Sequence, residues 1–296
     1  MHQDHISALV TIMATTTNSN VRLLAALVDS NDEEESEYRF LVDEEHVKYV
    51  TVDPGVFPKD DRTFAPVFIP MLPPFPPGNW NEGHISKDPL TQHPVFSRVT
   101  YSDLPRIRNT WHDKRIDHLE LKKLNRVRQN IHHVTCPGFD FPVLVKFAEF
   151  PWQMPFFEAE TTAYEWIEGK GIGPRFLGHL TEAGRVFGFV MENIDGARTA
   201  EPQDLTACQR TLAKLHALGI KHGDINKHNF LIKNGEAILI DFETAQKCSE
   251  KAELELEYKQ LELLLRDPSR RGGVGIPVVS DHIPGWRPVE HRVDKH

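Results

Sequence analysis

The second half of the chain shows two periodicities. Apolar residues three and four positions apart predict helices over residues 157–168, 204–218 and 250–265. Short runs of β-branched and aromatic residues predict strands over residues 116–124, 131–136, 142–147, 186–191, 225–233 and 237–242. The last two strands flank an Asn-Gly turn, which is typical of a hairpin. This mixture of helices and strands, without an internal repeat, predicts an α+β fold.

The first part of the chain has a weaker pattern. Residues 6–28 have a faint helical periodicity, which is strongest over residues 21–28. Residues 38–42 and 46–52 are β-branched and aromatic runs separated by three acidic residues. We therefore expect a helix followed by a β-hairpin.

Residues 54–94 carry ten of the chain's 21 prolines. A proline lacks the amide donor and restricts the residue before it, so we expect neither helix nor central strand in this stretch. Five aromatic residues favour an arm packed on a surface over a free linker: Phe57, Phe64, Phe68, Phe75 and Trp80. The arm is also a candidate ligand for a proline-recognising protein partner.

Charge is distributed unevenly over the 296 residues. Residues 1–60 hold 12 Asp and Glu against 4 Lys and Arg, a net charge of −8, whereas the whole chain has −9. The acidic residues predict a solvated loop and turn. Neither part has the basic excess of a nucleic-acid-binding domain, so no nucleic-acid partner is expected.

Composition excludes several classes of protein. Hydrophobic residues make up 40% and charged residues 26%, which is typical of a globular domain. No apolar run approaches the ~20 residues of a membrane-spanning helix, so no membrane span is expected. Cys136, Cys208 and Cys248 lie far apart, which argues against a disulfide framework or a zinc ribbon. The chain begins without the positive segment of a signal peptide, which predicts an intracellular, cytoplasmic protein, with the nucleus as an alternative.

Two neighbouring segments carry most of the chemical information. Residues 222–232 read His-Gly-Asp-Ile-Asn-Lys-His-Asn-Phe-Leu-Ile, and residues 239–243 read Leu-Ile-Asp-Phe-Glu. Asp224 and Asn229 are five positions apart, and the predicted hairpin brings Asp241 back beside them. Carboxylate and amide oxygens are ligands that suit Mg²⁺.

A lysine and a glutamate upstream complete the pattern. Residues 143–146, Val-Leu-Val-Lys, form a predicted strand that carries Lys146, and Glu160 lies on the next predicted helix. Over residues 116–265 the chain resembles the protein-kinase-like superfamily, with its H-x-D-x-x-x-x-N, D-F-x and V-A-I-K patterns. It is most similar there to aminoglycoside kinases, lipopolysaccharide-core kinases and fungal kinase-like proteins.

The resemblance implies a bilobal protein-kinase-like fold and two cofactors, ATP and Mg²⁺. The C-lobe would be minimal, because only about 53 residues follow Glu243 and no A-P-E motif appears. The expected organisation is an acidic, proline-rich N-terminal extension over residues 1–115, a kinase-like domain over residues 116–268, and a loose tail over residues 269–296.

The resemblance also implies a role for each site residue. Asp224 would orient the attacking hydroxyl and accept its proton, and Lys146 would hold the nucleotide phosphates. Glu160 would pair with Lys146, and Glu158 and Glu165 on the same helix are alternative partners. The remaining expected ligands are Asn229 and Asp241 for Mg²⁺, and the backbone groups from Glu192 to Ile194 for the adenine base.

Three departures from the superfamily pattern bear on activity. Residues 124–130 contain no glycine where a glycine-rich loop is expected, and Arg126 and Arg128 are alternative phosphate contacts. Gly223 stands where many protein kinases have an arginine. Glu243 stands where a glycine would be free to adopt a positive φ.

The sequence therefore predicts an ATP- and Mg²⁺-dependent kinase that phosphorylates a hydroxyl of a protein or a small molecule. A nucleotide-binding pseudokinase or scaffold is the first alternative, which the missing glycines favour and the four matched residues oppose. A glycoside hydrolase with a carboxylate pair is the last alternative.

Overall fold

The computed structural model describes residues 18–268, in two compact units that divide after Ser102. Each unit has an apolar core of its own. The functional boundaries expected at residues 116 and 268 stay predictions, and the stretch between them lies within the second unit. Among the described residues, no helix combines the length and apolar character needed to cross a bilayer.

The first unit is a five-stranded sheet with one short helix. Its elements are β1 (Val21–Leu27), β2 (Ser36–Val42), β3 (His46–Val52), α1 (Ala65–Met71), β4 (Glu82–Lys87) and β5 (Pro94–Thr100). The strands lie side by side in chain order, and all neighbours are antiparallel except the parallel pair of β3 and β4. The hairpin of β2 and β3 confirms the prediction for residues 38–52.

Aromatic rings fill the core of this unit. The Tyr38 and Phe68 rings are stacked with their centroids 4.6 Å apart, and the Phe75 ring meets Phe40 edge-on at 5.3 Å. Four of the rings come from the proline-rich stretch: Phe57, Phe68 and Trp80 are at most 4% exposed, and Phe75 is partly buried against them. The stretch is therefore packed and is not a free linker, but it contributes to a core where an arm on a surface was expected. Phe64 is exposed.

Two expectations for this region are wrong. Residues 21–27 form β1, an edge strand, because pairing with β2 outweighs their weak helical pattern. Residues 6–17 lie outside the described residues. The proline-rich stretch holds both α1 and the internal strand β4. Pro66 lies in the first turn of α1, where a proline is tolerated, and Pro70 lies inside the helix, one residue before its end. β4 itself contains no proline.

The second unit begins with a six-stranded sheet and a helix. These elements are β6 (Arg115–Asp117), β7 (Lys122–Arg128), β8 (Ile131–Thr135), β9 (Val143–Phe147), α2 (Met154–Ile167), β10 (Phe176–Glu182) and β11 (Arg185–Glu192). The strand order is β6-β10-β11-β9-β8-β7. The sheet thus places β9, which carries Lys146, between β8 and β11.

Smaller strands and two helices make up the rest of the unit. They are β12 (Arg198–Thr199), α3 (Leu205–Ala217), β13 (Ile220–Lys221), β14 (Phe230–Lys233), β15 (Glu236–Leu239), β16 (Gln246–Lys247) and α4 (Lys251–Arg266). The three helices of the second unit confirm the helical predictions to within a few residues. The mixture of sheets and helices confirms the α+β class and is compatible with a kinase-like fold.

Some strands differ from their predicted extent. Residues 116–124 are interrupted by a 3-10 turn, His118–Glu120, in which the Asp117 side chain accepts a hydrogen bond from the N–H of Leu119. Residues 225–229 form a loop that ends in another 3-10 turn, and only then does β14 begin. Strand β10 was not predicted. It pairs with β11 in a tight hairpin and with β6, which lies far earlier in the chain.

Candidate functional site

Lys146 is the centre of a buried charge cluster. It lies in the middle of the sheet on β9 and is 4% exposed. Its Nζ lies 2.6 Å from Oε2 of Glu160 on α2 and 2.5 Å from Oδ1 of Asp241, which follows β15. Three residues predicted from separate motifs are therefore in direct contact.

The two alternative partners of Lys146 are engaged elsewhere. The carboxylate of Glu158 accepts hydrogen bonds from the backbone N–H groups of Arg108 and Asn109, at 2.5 and 3.1 Å. Glu165 accepts one from Nδ2 of Asn109 at 2.7 Å. Of the three glutamates that the sequence left open, the structure brings Glu160 to the lysine.

Burial and pairing act against each other on these three groups. Burial alone would lower the pKa of Lys146, but the carboxylates of Asp241 and Glu160 hold it well above its usual value. Burial raises the pKa of Glu160 to about 7 and outweighs the attraction of the lysine. The pKa of Asp241 falls despite burial, because the Lys146 ammonium favours its charged form. Both carboxylates therefore favour the charged form of the lysine, and Asp241 remains ionised beside it.

Asp241 has an unusual backbone conformation, with φ 66° and ψ 61°. Aspartate tolerates this left-handed region better than most residues, because its short side chain forms local hydrogen bonds. The next residue, Phe242, is fully buried and packs against the rings of Tyr164 and His222. Glu243 lies in a 3-10 turn and has no positive φ. The glycine of the superfamily pattern is thus not needed here.

The carboxylates form a compact group around the lysine. Ligand oxygens of Glu160, Asp241 and Glu243 lie within 4.8 Å of one another. Glu160 is buried, whereas the Glu243 side chain reaches solvent. The group thus provides negative charge in excess of the one lysine that it holds.

Asp224 and Asn229 are joined by side-chain hydrogen bonds. Nδ2 of Asn229 donates to the backbone carbonyl of Asp224 at 2.8 Å and to its Oδ2 at 3.0 Å. Nδ2 of Asn226 donates to the same Oδ2 at 2.9 Å. A backbone bond of 3.0 Å from the N–H of Ile240 to the carbonyl of Asn229 ties this loop to the segment of Asp241. The predicted convergence of the two loops is therefore present.

Asn229 also has an unsatisfied oxygen. The residue is 1% exposed, and its Oδ1 is buried without a hydrogen-bond partner among the described residues. A buried amide oxygen without a partner is costly unless something outside the chain satisfies it. The oxygen is of the hard type that divalent cations such as Mg²⁺ prefer.

Glu257 on α4 supports the loop that carries Asp224. Its buried carboxylate accepts hydrogen bonds from the N–H groups of His222 and Gly223, at 3.1 and 2.7 Å. Its Oε2 also lies 2.7 Å from Nε2 of His216. This residue was not predicted from the sequence. Its burial was indicated by its position in the same helical row as Leu261 and Leu265, which are buried.

His222 and Gly223 shape the same loop. Burial lowers the pKa of His222, whose Nε2 lies 3.1 Å from the carbonyl of Ile240. This supports a packing role for His222 and not that of a general base. Gly223 has φ +87°, and a Cβ there would lie 2.8 Å from the carbonyl oxygen of Thr244. An arginine at this position would clash with that carbonyl.

The residues predicted to bind the adenine base lie at the end of β11 and just after it. Glu192 is the last residue of that strand and pairs with Val143. Its N–H donates to the carbonyl of Arg175 at 2.9 Å, and its carboxylate accepts from Nε of Arg175 at 3.0 Å. The carbonyl of Ile194 accepts from the N–H of Ala197. Contacts of Glu192 and Ile194 with a base stay predictions, and the amide of Glu192 is already used.

A tight hairpin occupies the position expected for a glycine-rich loop. Residues 124–128 belong to β7 and form no loop, and only Gln129 and Asn130 connect it to β8. Nε2 of Gln129 donates to Glu149 at 2.7 Å, and the carbonyl of Asn130 accepts from the N–H of Phe147 at 3.1 Å. The expectation of a loop over residues 124–130 is therefore wrong, because strand pairing extends almost to the turn.

A cleft of about 490 Å³ lies beside Asp224. Its walls are the loop over residues 223–227 and one side of α4, and they include the exposed Leu256 and Leu263. The cleft thus offers both polar and apolar surface next to the Asp224 carboxylate.

Comparison with known proteins finds similarity in part of the second unit. Residues 191–270 match the model of the Lipopolysaccharide kinase (Kdo/WaaP) family. The matched stretch contains Asp224, Asn229 and Asp241, and it begins after Lys146 and Glu160. The resemblance to the protein-kinase-like superfamily is thereby confirmed, and the match supports a kinase-like phosphotransferase.

Two curated relatives match a shorter stretch. A segment of 64 residues is 42% identical to a probable bifunctional tRNA threonylcarbamoyladenosine biosynthesis protein of Methanospirillum hungatei. The same number of residues is 34% identical to a protein of that name from Methanoculleus marisnigri. Each match covers 21% of this chain and 12% of the relative. The similarity therefore concerns a short segment of longer proteins.

Proposed function

We propose that the second unit is an ATP- and Mg²⁺-dependent kinase that transfers the γ-phosphate to a hydroxyl group. The contact of Lys146 with both Glu160 and Asp241 carries this proposal, because it joins the lysine segment to the family-matched segment. Phosphoryl transfer depends mainly on positioning and charge neutralisation, and this cluster provides both.

The residues present fit a magnesium ion. Asp241 supplies a charged oxygen, and the unsatisfied Oδ1 of Asn229 supplies a neutral one. Asn229 is oriented by its two bonds to Asp224, so its oxygen side is fixed. When bound, the ion would neutralise charge on the transferring phosphate oxygens. Glu243, whose oxygens lie near those of Asp241, is a further candidate ligand.

Three side chains would bind the phosphates and the acceptor. Lys146 would bind the α- and β-phosphates once Asp241 turns to the cation, and Glu160 would hold the lysine in place. Asp224 would accept the proton of the attacking hydroxyl. The new bond joins that oxygen to the γ-phosphorus, while the bond between this phosphorus and the bridging oxygen of ADP breaks.

The cleft beside Asp224 is the proposed acceptor site. Asp224 is one of the residues that line it, so an acceptor bound there would lie beside Asp224. Its mixture of polar and apolar lining is compatible with a protein segment or a small molecule. The tight hairpin in place of a glycine-rich loop supports one competing reading, a pseudokinase that binds nucleotide without turnover.

Binding and turnover measured together test the proposal. We expect wild-type protein to bind Mg²⁺–ATP in calorimetry and to release ADP in a labelled-phosphate assay. Asp224→Asn should retain binding but lose turnover by roughly 10²- to 10⁴-fold, because the proton acceptor is removed. Asp140→Asn, an exposed residue of the same unit, is the matched control and should behave as wild type.

The outcomes separate the candidate functions. Failure of wild-type protein to bind Mg²⁺–ATP at millimolar concentration would contradict the whole proposal. Binding without any turnover in wild type would instead establish the pseudokinase. Equal turnover in wild type and Asp224→Asn would remove Asp224 from the mechanism.

A further inference from the structure

A second cation lies in the same cross-strand row as Lys146. In the sheet of the second unit, Lys146 on β9 pairs with Ile131 on β8, and Ile131 pairs with Arg128 on β7. Directly opposed residues of antiparallel strands project from the same face of the sheet. Arg128 and Lys146 therefore share a face, two strand spacings or about 10 Å apart.

The other arginine of β7 projects from the opposite face. Arg126 pairs with His132, the neighbour of Ile131, and successive residues of a strand alternate between faces. The register shifts between Arg126 and Arg128, which is the mark of a β-bulge and keeps the two side chains apart. The sequence offered both arginines as phosphate contacts. The strand register places only Arg128 on the face that carries Lys146.

The hairpin that carries Arg128 is held firmly. The two turn residues that follow it, Gln129 and Asn130, are bonded to Glu149 and Phe147. The carbonyl of Arg128 also accepts a hydrogen bond of 3.2 Å from Nε of Arg126. A glycine-rich loop binds phosphates through mobile backbone amides. The backbone of this hairpin is restrained by the bonds of Gln129 and Asn130, so its amides cannot adjust to phosphates in the same way. The charged side chain of Arg128 is available instead.

The electrostatics agree with this placement. The guanidinium of Arg128 attracts the Asp241 carboxylate, which the Lys146 ammonium contacts directly. A planar guanidinium with several donors also matches phosphate oxygens better than an ammonium does.

We propose that Arg128 binds the terminal phosphates of the nucleotide, replacing with a side chain the backbone amides of a glycine-rich loop. The inference rests on the proposed function, because it needs a nucleotide in the site of Lys146. Lys146 and Arg128 then bracket the phosphate chain from two points of one sheet face. The site consequently selects nucleotides by the length of that chain.

A ligand series on the full chain tests the proposal. Adenosine, AMP, ADP and ATP are titrated by calorimetry at constant Mg²⁺ into wild type, Arg128→Gln, Arg128→Lys and Lys122→Gln. Arg128→Gln should weaken ATP binding by about tenfold or more and leave AMP within about twofold, because a charged hydrogen bond to the distal phosphates is lost. Arg128→Lys should recover part of the loss. Lys122→Gln removes an exposed charge from the other end of β7, so it is the matched control and should follow wild type.

The outcomes distinguish a failure of this inference from a failure of the proposed function. If wild type binds ATP and Arg128→Gln binds it equally well, this inference is wrong and the proposed function stands. If Arg128→Gln loses AMP as severely as ATP, or unfolds at a lower temperature while Arg128→Lys does not rescue ATP binding, the role of Arg128 is structural and the inference is wrong. If wild type binds none of the four ligands, both proposals fail together.

Discussion

Each of the two units buries a lysine, and the two lysines are held in different ways. Lys48 on β3 is 7% exposed, and its ammonium donates to the backbone carbonyl of Trp80 and lies 4.7 Å from the centroid of that ring. Lys146 on β9 is 4% exposed, and its ammonium contacts the carboxylates of Glu160 and Asp241. One lysine has neutral partners and the other has charged ones.

The pKa values of the two lysines shift in opposite directions as a result. Desolvation lowers the pKa of Lys48, and the more distant Asp43 offsets only part of it. The pKa of Lys146 rises despite burial, because Asp241 and Glu160 favour its charged form. A neutral acceptor such as the Trp80 carbonyl lowers the cost of burying the Lys48 charge, but it brings no charge of its own. The carboxylates around Lys146 carry more negative charge than the lysine neutralises, so they can also attract a further cation. This difference distinguishes a structural lysine from one that can belong to a binding site.

Replacing each lysine by methionine tests the contrast most strongly. We expect Lys146→Met to weaken Mg²⁺–ATP binding by about 100-fold or more, because the phosphates lose a charged partner. Lys48→Met should leave the affinity within about twofold, because it belongs to the other unit's core. Calorimetric titration of both variants measures this.

Thermal unfolding of the same variants provides the control. Lys48→Met removes a buried ammonium together with its bond to the Trp80 carbonyl, so its effect should appear in stability alone. Equal losses of affinity in the two variants would show that Lys146 has no greater role in nucleotide binding than Lys48 has.

The site was more predictable from sequence than the first unit was. Asp224, Asn229 and Asp241 lie within one short stretch whose hairpin is signalled locally by an Asn-Gly turn. Lys146 and Glu160 are on elements with clear periodicity. The approach of Asn229 to Asp241 therefore follows from one local hairpin, whereas the contact of Lys146 with Asp241 was expected only from the resemblance to the superfamily.

The features that escaped prediction depend on distant partners. β1 and β4 acquire strand structure from neighbours in the sheet, against weak helical pattern in one and flanking prolines in the other. Glu257 is defined by N–H groups 34 and 35 residues earlier in the chain. The separation of Arg126 from Arg128 depends on a bulge that no local pattern indicates.

The contrast extends to a carboxylate of the second unit that backbone amides and a histidine hold. Glu257 is buried like Glu160, but its pKa is lowered despite burial, because His216 and the amides of Gly223 and His222 bond to its charged form. Glu257→Gln should reduce the free energy of unfolding by about 2 kcal/mol, since charge-assisted bonds to two amides are lost. Urea unfolding at pH 7 measures this change.

A neighbouring glutamate supplies the control for this variant. Glu253 lies one turn earlier on α4 and pairs with Lys221 at the surface, so Glu253→Gln should change stability by at most about 0.5 kcal/mol. Because the Glu257 pKa is depressed, its contribution should be present above pH 4.5 and disappear as the pH falls further. Equal effects of the two substitutions would contradict the anchoring role of Glu257.

Glu160 should show the opposite pH dependence. Its pKa is raised from 4.5 to about 7, so the folded protein holds this proton more tightly than the unfolded chain does. The stability that Glu160 contributes is therefore present below pH 4.5 and is lost as the pH rises through about 7. Glu160→Gln cannot ionise and escapes this loss. Relative to the variant, wild type should lose at most about 3 kcal/mol over the range, since the raised pKa already includes the pairing with Lys146.

Urea unfolding of both proteins from pH 4.5 to 7.5 gives the difference directly, because the other groups titrate alike and cancel. Glu165→Gln, on the same helix and bonded to an uncharged amide, should show no such pH dependence. A difference that grows in favour of wild type as the pH rises would mean that pairing with Lys146 outweighs burial. Glu160 would then share the lysine charge equally with Asp241, and Lys146 would be held in place by both carboxylates when Asp241 turns to a cation.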